Sequence, residues 1–190
     1  MGAVIKPKGR VIRDEFLTNK GYIRRNAFTA PLAANSTSLL NTASLDGSTK
    51  TTFVAQPDMA RNISLVASGV TTANVVINGT DIRGAVITET IALNGGSAVY
   101  TLNAFLTVTS IVLPTVAATN VNVGISTALG LDRKMTENGV FLATVDAAAD
   151  SALPTVTVSG TSVSLNKVTF ATAPNATHNY VVYFVATELI

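Results

Sequence analysis

The residues whose types could carry chemistry are the single histidine, His178, and the carboxylates Asp146, Asp150 and Glu89. A serine-histidine-acid triad needs a base oriented by a carboxylate beside an activated serine. No acid lies within the ten residues before His178, and no G-x-S-x-G elbow occurs. Because His178 follows Pro174-Asn175-Ala176-Thr177, it is expected to be a solvated turn residue. Glycoside hydrolysis needs two carboxylates facing one cleft. Asp146 and Asp150 flank three alanines without aromatic residues to stack on a sugar, and read as loop residues or, at best, weak calcium ligands. Glu89 differs. In an alternating run it shares parity with Ile87, Ile91 and Leu93, so it should point to the apolar side, where a carboxylate must be paired or neutralised. Glu89 is expected to be a structural ion-pair residue, with Arg83 and Arg61 as partners, or a subunit-contact residue. The glycine-containing segment 124–130 lacks the Lys-Ser/Thr of a phosphate-binding loop. No catalytic residue, metal site or cofactor is therefore assigned, and the chain reads as a non-enzyme.

Composition narrows the classes further. The 190 residues contain no cysteine, which excludes disulfides and thiolate-ligated metals. Charged residues make up 13%, against about 25% in typical domains. Such a low-charge surface leaves little to hold copies apart and points to assembly. The charge is also unevenly placed. Residues 1–25 hold seven basic and two acidic side chains, a net of +5, while the remainder carries a net of −3. The basic segment has only Phe16 and Tyr22 as aromatics, with Phe28 just after, too few to interleave as a nucleic-acid stacking platform. No run of 18 apolar residues is present, so no membrane helix is expected. Leu153-Pro154-Thr155-Val156-Thr157 has the outline of a wall-sorting signal, but Val and Thr occupy the positions that need Thr and Gly.

The elements that would position these residues are strands. Residues 1–50 lack sustained periodicity and are broken by Pro7, Gly9, Gly21 and Pro31, with one helical turn admissible near 13–17. They are expected to form an extended basic arm. From residue 51 the pattern becomes β, with runs at 51–55, 62–67, 74–77, 85–93, 105–113, 120–126, 140–145, 155–158, 162–165, 167–171 and 180–187. Asn78-Gly79, Asn94-Gly95-Gly96, Asn138-Gly139 and Ser159-Gly160-Thr161 supply turn signals between them. The runs at 155–158 and 162–165 read as a hairpin with one wet face. The run at 180–185 is nearly all apolar and is expected to lie centrally, covered on both faces. The resulting expectation is an all-β chain: a β-sandwich or jelly-roll-like body over 51–190, with a sub-boundary near 131–136, and an extended N-terminal arm over 1–50.

Several phrases carry a resemblance. Arg61-Asn62-Ile63-Ser64-Leu65, Val75-Val76-Ile77-Asn78-Gly79-Thr80-Asp81-Ile82-Arg83-Gly84, Ile87-Thr88-Glu89-Thr90-Ile91 and Ala104-Phe105-Leu106-Thr107-Val108-Thr109-Ser110-Ile111 are similar to the β-modules of tailed-bacteriophage virion proteins, as is the ending from Val168 to Phe184. The resemblance covers residues 60–187 in patches and has no catalytic fingerprint. It implies a virion component, made in the host cytoplasm, whose function lies in its interfaces. Within that class the favoured expectation is a capsid decoration (cement) protein, trimeric, contacting the major capsid protein or other virion subunits. Its arm residues Lys6, Lys8, Arg10, Arg13, Arg24 and Arg25 would make the polar contacts, and Phe16, Leu17, Tyr22, Ile23 and Phe28 the apolar ones. A tail, neck or fibre component is the alternative within the same particle. A carbohydrate-binding or adhesive module is the alternative from another class.

Overall fold

Valine, isoleucine and threonine dominate the alternating runs, and their branched Cβ atoms fit a pleated, half-buried surface. The computed structural model describes residues 22–187. They form fourteen strands and no helix: β1 (Tyr22–Phe28), β2 (Asn35–Asp46), β3 (Thr49–Lys50), β4 (Arg61–Ala67), β5 (Asn74–Thr80), β6 (Val86–Ala92), β7 (Val99–Tyr100), β8 (Thr107–Val112), β9 (Thr115–Gly130), β10 (Val140–Val145), β11 (Ala148–Ala149), β12 (Thr155–Thr157), β13 (Lys167–Thr169) and β14 (Tyr180–Ala186). Three antiparallel sheets result. The first runs β1-β14-β10-β11, the second β12-β13-β9-β4-β7 with β2 also paired to β9, and the third β3-β8-β5-β6. The all-β class expected from the sequence is what the chain adopts.

Two apolar cores lie between these sheets. One gathers Leu39, Ile63, Leu65, Val75, Ile77, Phe105, Ile111, Val121, Val123 and Ile125. The other gathers Phe28, Leu129, Leu131, Met135, Val168, Phe170, Tyr180, Val182 and Phe184. The sixteen-residue β9 serves both, changing core between Ile125 and Leu129. Gly124 makes this strand's pairing feasible. A Cβ there would sit 1.9 Å from the Asn35 carbonyl oxygen, so β2 could not lie so close with any other residue.

Of the arm expected over residues 1–50, the part from Tyr22 onward belongs to the sheets, and residues 1–21 lie outside the described residues. β1 pairs with β14 over its whole length, from Tyr22 opposite Ala186 to Phe28 opposite Tyr180, and β2 pairs with β9. These strands were hidden because β2 carries irregular register shifts and presents Leu39 and Leu40 as adjacent buried residues, which breaks period-2 alternation. The run at 51–55 forms no strand. The helical turn near 13–17 lies outside the described residues.

Two turn assignments are also revised. Asn78-Gly79 lies inside β5, and the chain reverses instead at 81–84, where Asp81 Oδ1 accepts the N–H groups of Arg83 and Ala85 and Gly84 adopts φ +80°. Gly79 serves close approach: its missing Cβ would lie 2.0 Å from the Thr107 carbonyl oxygen, at the bulge between β5 and β8. The expected hairpin of 155–158 with 162–165 is replaced by β12 with β13. Buried Asn166 organises the intervening loop. Its Oδ1 accepts from the N–H groups of Met135 and Ser159, and its Nδ2 donates to the carbonyls of Ser159 and Ser162. β14 is central in its sheet, but only one of its faces is sealed: Tyr180, Val182, Phe184 and Ala186 are buried, whereas Val181, Tyr183 and Val185 are half-buried.

Replacing Gly79 by alanine should lower stability by roughly 1–3 kcal/mol, the usual cost of forcing extra volume into a packed site. The check is urea unfolding, where the midpoint should fall with an unchanged slope.

Candidate functional site

The outward face of the first sheet is the surface where apolar and polar groups converge. Strand alternation places Ile23, Arg25 and Ala27 of β1 opposite Val185, Tyr183 and Val181 of β14 on this face. β10 continues it. A bulge between Val140 and Leu142 turns both Phe141 and Leu142 outward, against the strict alternation of the rest of the strand. Ile23 is 62% exposed and Phe141 51% exposed. The rings of Phe141 and Tyr183 stand 6.4 Å apart at a tilt of 39°. An open concavity of about 580 Å³ runs along this face, lined by Arg25, Leu142, Thr144, Val181, Tyr183 and the tip of the β10–β11 hairpin.

That tip carries Asp146. Val145 pairs with Ala148, so the connection has two residues, and both sit in the left-handed region, Asp146 at φ +48° and Ala147 at φ +67°. Primed turns of this kind match the twist of a hairpin but favour Asn-Gly, so Ala147 is strained. The strain is held by tertiary contacts. Asp146 Oδ2 lies 2.6 Å from His178 Nδ1, Asp146 Oδ1 accepts the Asn179 N–H at 2.8 Å, and the Asp146 N–H donates to the Asn179 carbonyl at 2.8 Å. The Asn179 N–H, and secondarily His178, hold the Asp146 carboxyl below the usual aspartate range. His178 is therefore more than a solvated turn residue. The acid that the local sequence lacks arrives from 32 residues upstream.

An acid-histidine pair becomes a nucleophilic apparatus only with a hydroxyl or thiol on the second ring nitrogen. Among the described residues no hydrogen bond of His178 to a serine is present; the hydroxyls lining the concavity are those of Thr144 and Tyr183. Asp150, the other half of the expected carboxylate pair, faces away to a separate loop. It accepts from the Thr172 hydroxyl at 2.7 Å and from the N–H groups of Ser151, Ala171 and Thr172. Burial pushes its carboxyl up, but the Thr172 hydroxyl and these N–H groups outweigh burial and leave it below the ordinary range. No group of three metal-ligating side chains occurs among the described residues.

The proposed contact residues separate into three sets. Lys6, Lys8, Arg10, Arg13, Phe16 and Leu17 lie outside the described residues. Ile23 and Arg25 are exposed on the outward face. The remaining three turn inward or bind within the chain. Phe28 is buried, edge-on to Phe170 at 6.0 Å, and is a core residue instead of an anchor. Tyr22 is half-buried against the second core. Arg24 forms an ion pair with Asp132 at 2.8 Å, and the Asp132 carboxylate raises its pKa.

The expected ion pair of Glu89 with Arg83 and Arg61 does not form. Glu89 does point inward, but its carboxylate accepts the N–H groups of Leu102 at 2.6 Å and Asn103 at 2.8 Å and the Asn103 side-chain amide at 2.8 Å. Arg83 donates to the Asp132 carbonyl at 2.7 Å. Arg61 is fully buried, paired with Asp58 at 2.7 Å and donating to the Leu32 carbonyl at 3.1 Å. Sequence parity placed the carboxylate correctly, but it could not reveal that a loop would present backbone donors to it. Phe141 and Leu142 were legible only as one run with their neighbours, because a bulge is invisible in period-2 alternation.

Comparison with known protein families, curated proteins and solved structures finds no match to this chain.

The lowered Asp146 and Asp150 carboxyls set a pH dependence. Their folded pKa values lie below the ordinary 3.8, so they stabilise the fold above that pH, and this contribution is lost as pH falls through the folded values. Asp150→Asn should lower the urea midpoint at pH 7, and the difference from the parent should shrink steadily below about pH 4, measured by unfolding across pH 2–7.

Proposed function

We propose that the protein is a non-enzymatic structural component of a tailed-phage particle, most specifically a capsid decoration protein that docks on neighbouring subunits through the outward face of its first sheet. The observation that carries this reading is the apolar strip of Ile23, Phe141, Leu142, Tyr183 and Val185 on a sheet face that no other element of the described chain covers. Contiguous apolar surface rimmed by polar groups characterises docking sites. The strip is aromatic and carries one arginine, the composition enriched at the centre of protein interfaces. β1, which begins at Tyr22, is an edge strand of the same sheet, and the net positive charge of the sequence is concentrated in the residues that precede it. Each bound copy would then oppose separation of adjacent capsomers, as any ligand specific to the assembled state does. A homotrimer fits this role, and the tail, neck or fibre remains the alternative location in the same particle.

One observation favours a reading from another class. Tyr183 stands beside Arg25, Asp146 and Asn179 in an open concavity, with the Phe141 ring next to Tyr183, a combination that would also suit a carbohydrate. A glycan array with the purified protein tests it, and silence across the array removes it.

The virion reading is tested by stoichiometry and one pair of variants. In purified particles the copy number should match that of the major shell protein; a few dozen or fewer would place the protein in the tail or neck, and its absence would sink the reading. Ile23→Glu and Phe141→Ser alter exposed side chains and should leave thermal stability nearly unchanged. Each should weaken particle binding at least tenfold, the loss expected on truncating an interface anchor.

A further inference from the structure

A second polar cluster lies away from the outward face, around Asn103 in the connection between β7 and β8. Both ends of its side-chain amide are held. Nδ2 donates to Glu89 Oε2 at 2.8 Å, and Oδ1 accepts from the Ser164 hydroxyl at 2.5 Å. Glu89 is itself fixed by the N–H groups of Leu102 and Asn103, and Ser164 by the Ser162 hydroxyl at 2.8 Å. Lys167, at the start of β13, completes the group. It is 6% exposed, and its Nζ donates to the carbonyl of Leu102, the residue bonded to Asn103.

This arrangement exceeds what holding a loop requires. An ammonium carries three donors, and Lys167 finds one acceptor among the described residues. Burial pushes its pKa below the ordinary lysine range, while the charge of Glu89 acts in the opposite sense. A buried lysine with so few acceptors is better accommodated as the neutral amine, which is a nucleophile. The residue bonded to its Leu102 acceptor carries a carboxamide whose oxygen already receives a hydroxyl hydrogen bond, where negative charge would develop on attack. A carboxylate sits on the nitrogen that would leave, in the position of a proton shuttle.

We propose that the chain forms an intramolecular isopeptide cross-link between Lys167 Nζ and Asn103 Cγ. The step requires Nζ to swing from the Leu102 carbonyl to Cγ of the next residue. The amine lone pair forms the new C–N bond, and the carbonyl π electrons move to Oδ1, where the Ser164 hydroxyl receives the charge. Glu89 takes the proton from Nζ and delivers it to Nδ2. Collapse of the tetrahedral centre breaks the Cγ–Nδ2 bond and releases one ammonia, so a secondary amide forms with no oxidant, cofactor or second substrate. The bond joins a loop packed on the first core to a strand packed on the second, and so ties together the two parts that β9 connects. It is independent of what docks on the outward face.

Intact-mass measurement on the purified full chain tests the proposal. The expected mass is below the sequence mass by one ammonia, and proteolysis should yield one branched peptide containing both Asn103 and Lys167. Asn78-Gly79, Asn94-Gly95 and Asn138-Gly139 can also shed ammonia by succinimide formation, so fragment mapping decides the location. Glu89→Gln and Lys167→Met should both show the full sequence mass and a lowered melting temperature. A parent chain of full mass, or an ammonia loss mapped to an Asn-Gly pair, overturns the cross-link. That decision rests on the parent protein alone should either variant fail to fold.

Discussion

Backbone polar groups within a sheet must all find partners, and β9 is where that requirement bears hardest. Its sixteen residues pair with β4 along one edge and with β2 and then β13 along the other. Leu129 contributes to a different core from Val121, Val123 and Ile125. Loss of pairing at β9 would therefore expose donors and acceptors from strands of both cores together. Gly124 sits at the tightest point of this arrangement, where β2 approaches too closely for any side chain.

The scarce charges reinforce the same junction. Asp132 binds Arg24 of β1 through its carboxylate and Arg83 of the β5–β6 turn through its carbonyl, linking the first sheet to the third. Arg61 lies fully buried at the start of β4, held by Asp58 and the Leu32 carbonyl, and burial lowers its pKa while Asp58 opposes that shift. A buried pair of this kind contributes little net stability compared with apolar packing, but removal of one partner is costly. A chain with so few ionisable groups has placed many of them at internal joints. What remains outward on the first sheet is mainly apolar.

The Asp146-Ala147 turn holds two left-handed residues at the mouth of the concavity, kept in place by His178 and Asn179. Glu89, Asn103, Ser164 and Lys167 converge from β6, two loops and β13, so no single local stretch contains the cluster. Function in such a chain would reside in long-range juxtapositions and not in motifs.

Composition and alternation were enough to establish the all-β class and the central place of β14, because a period of two and branched side chains are local properties. They also placed Glu89 on the inward face, since parity follows from the pleat. They could not disclose that β1 and β2 belong to the body, because irregular register and adjacent buried leucines erase the alternation. Asn78-Gly79 had the residues of a hairpin, yet glycine was needed there for close approach to Thr107, a constraint set by a strand about thirty positions away. The partners of Glu89, His178 and Lys167 were likewise decided only by tertiary structure, because strand order brings together residues whose separation in sequence carries no periodic signal.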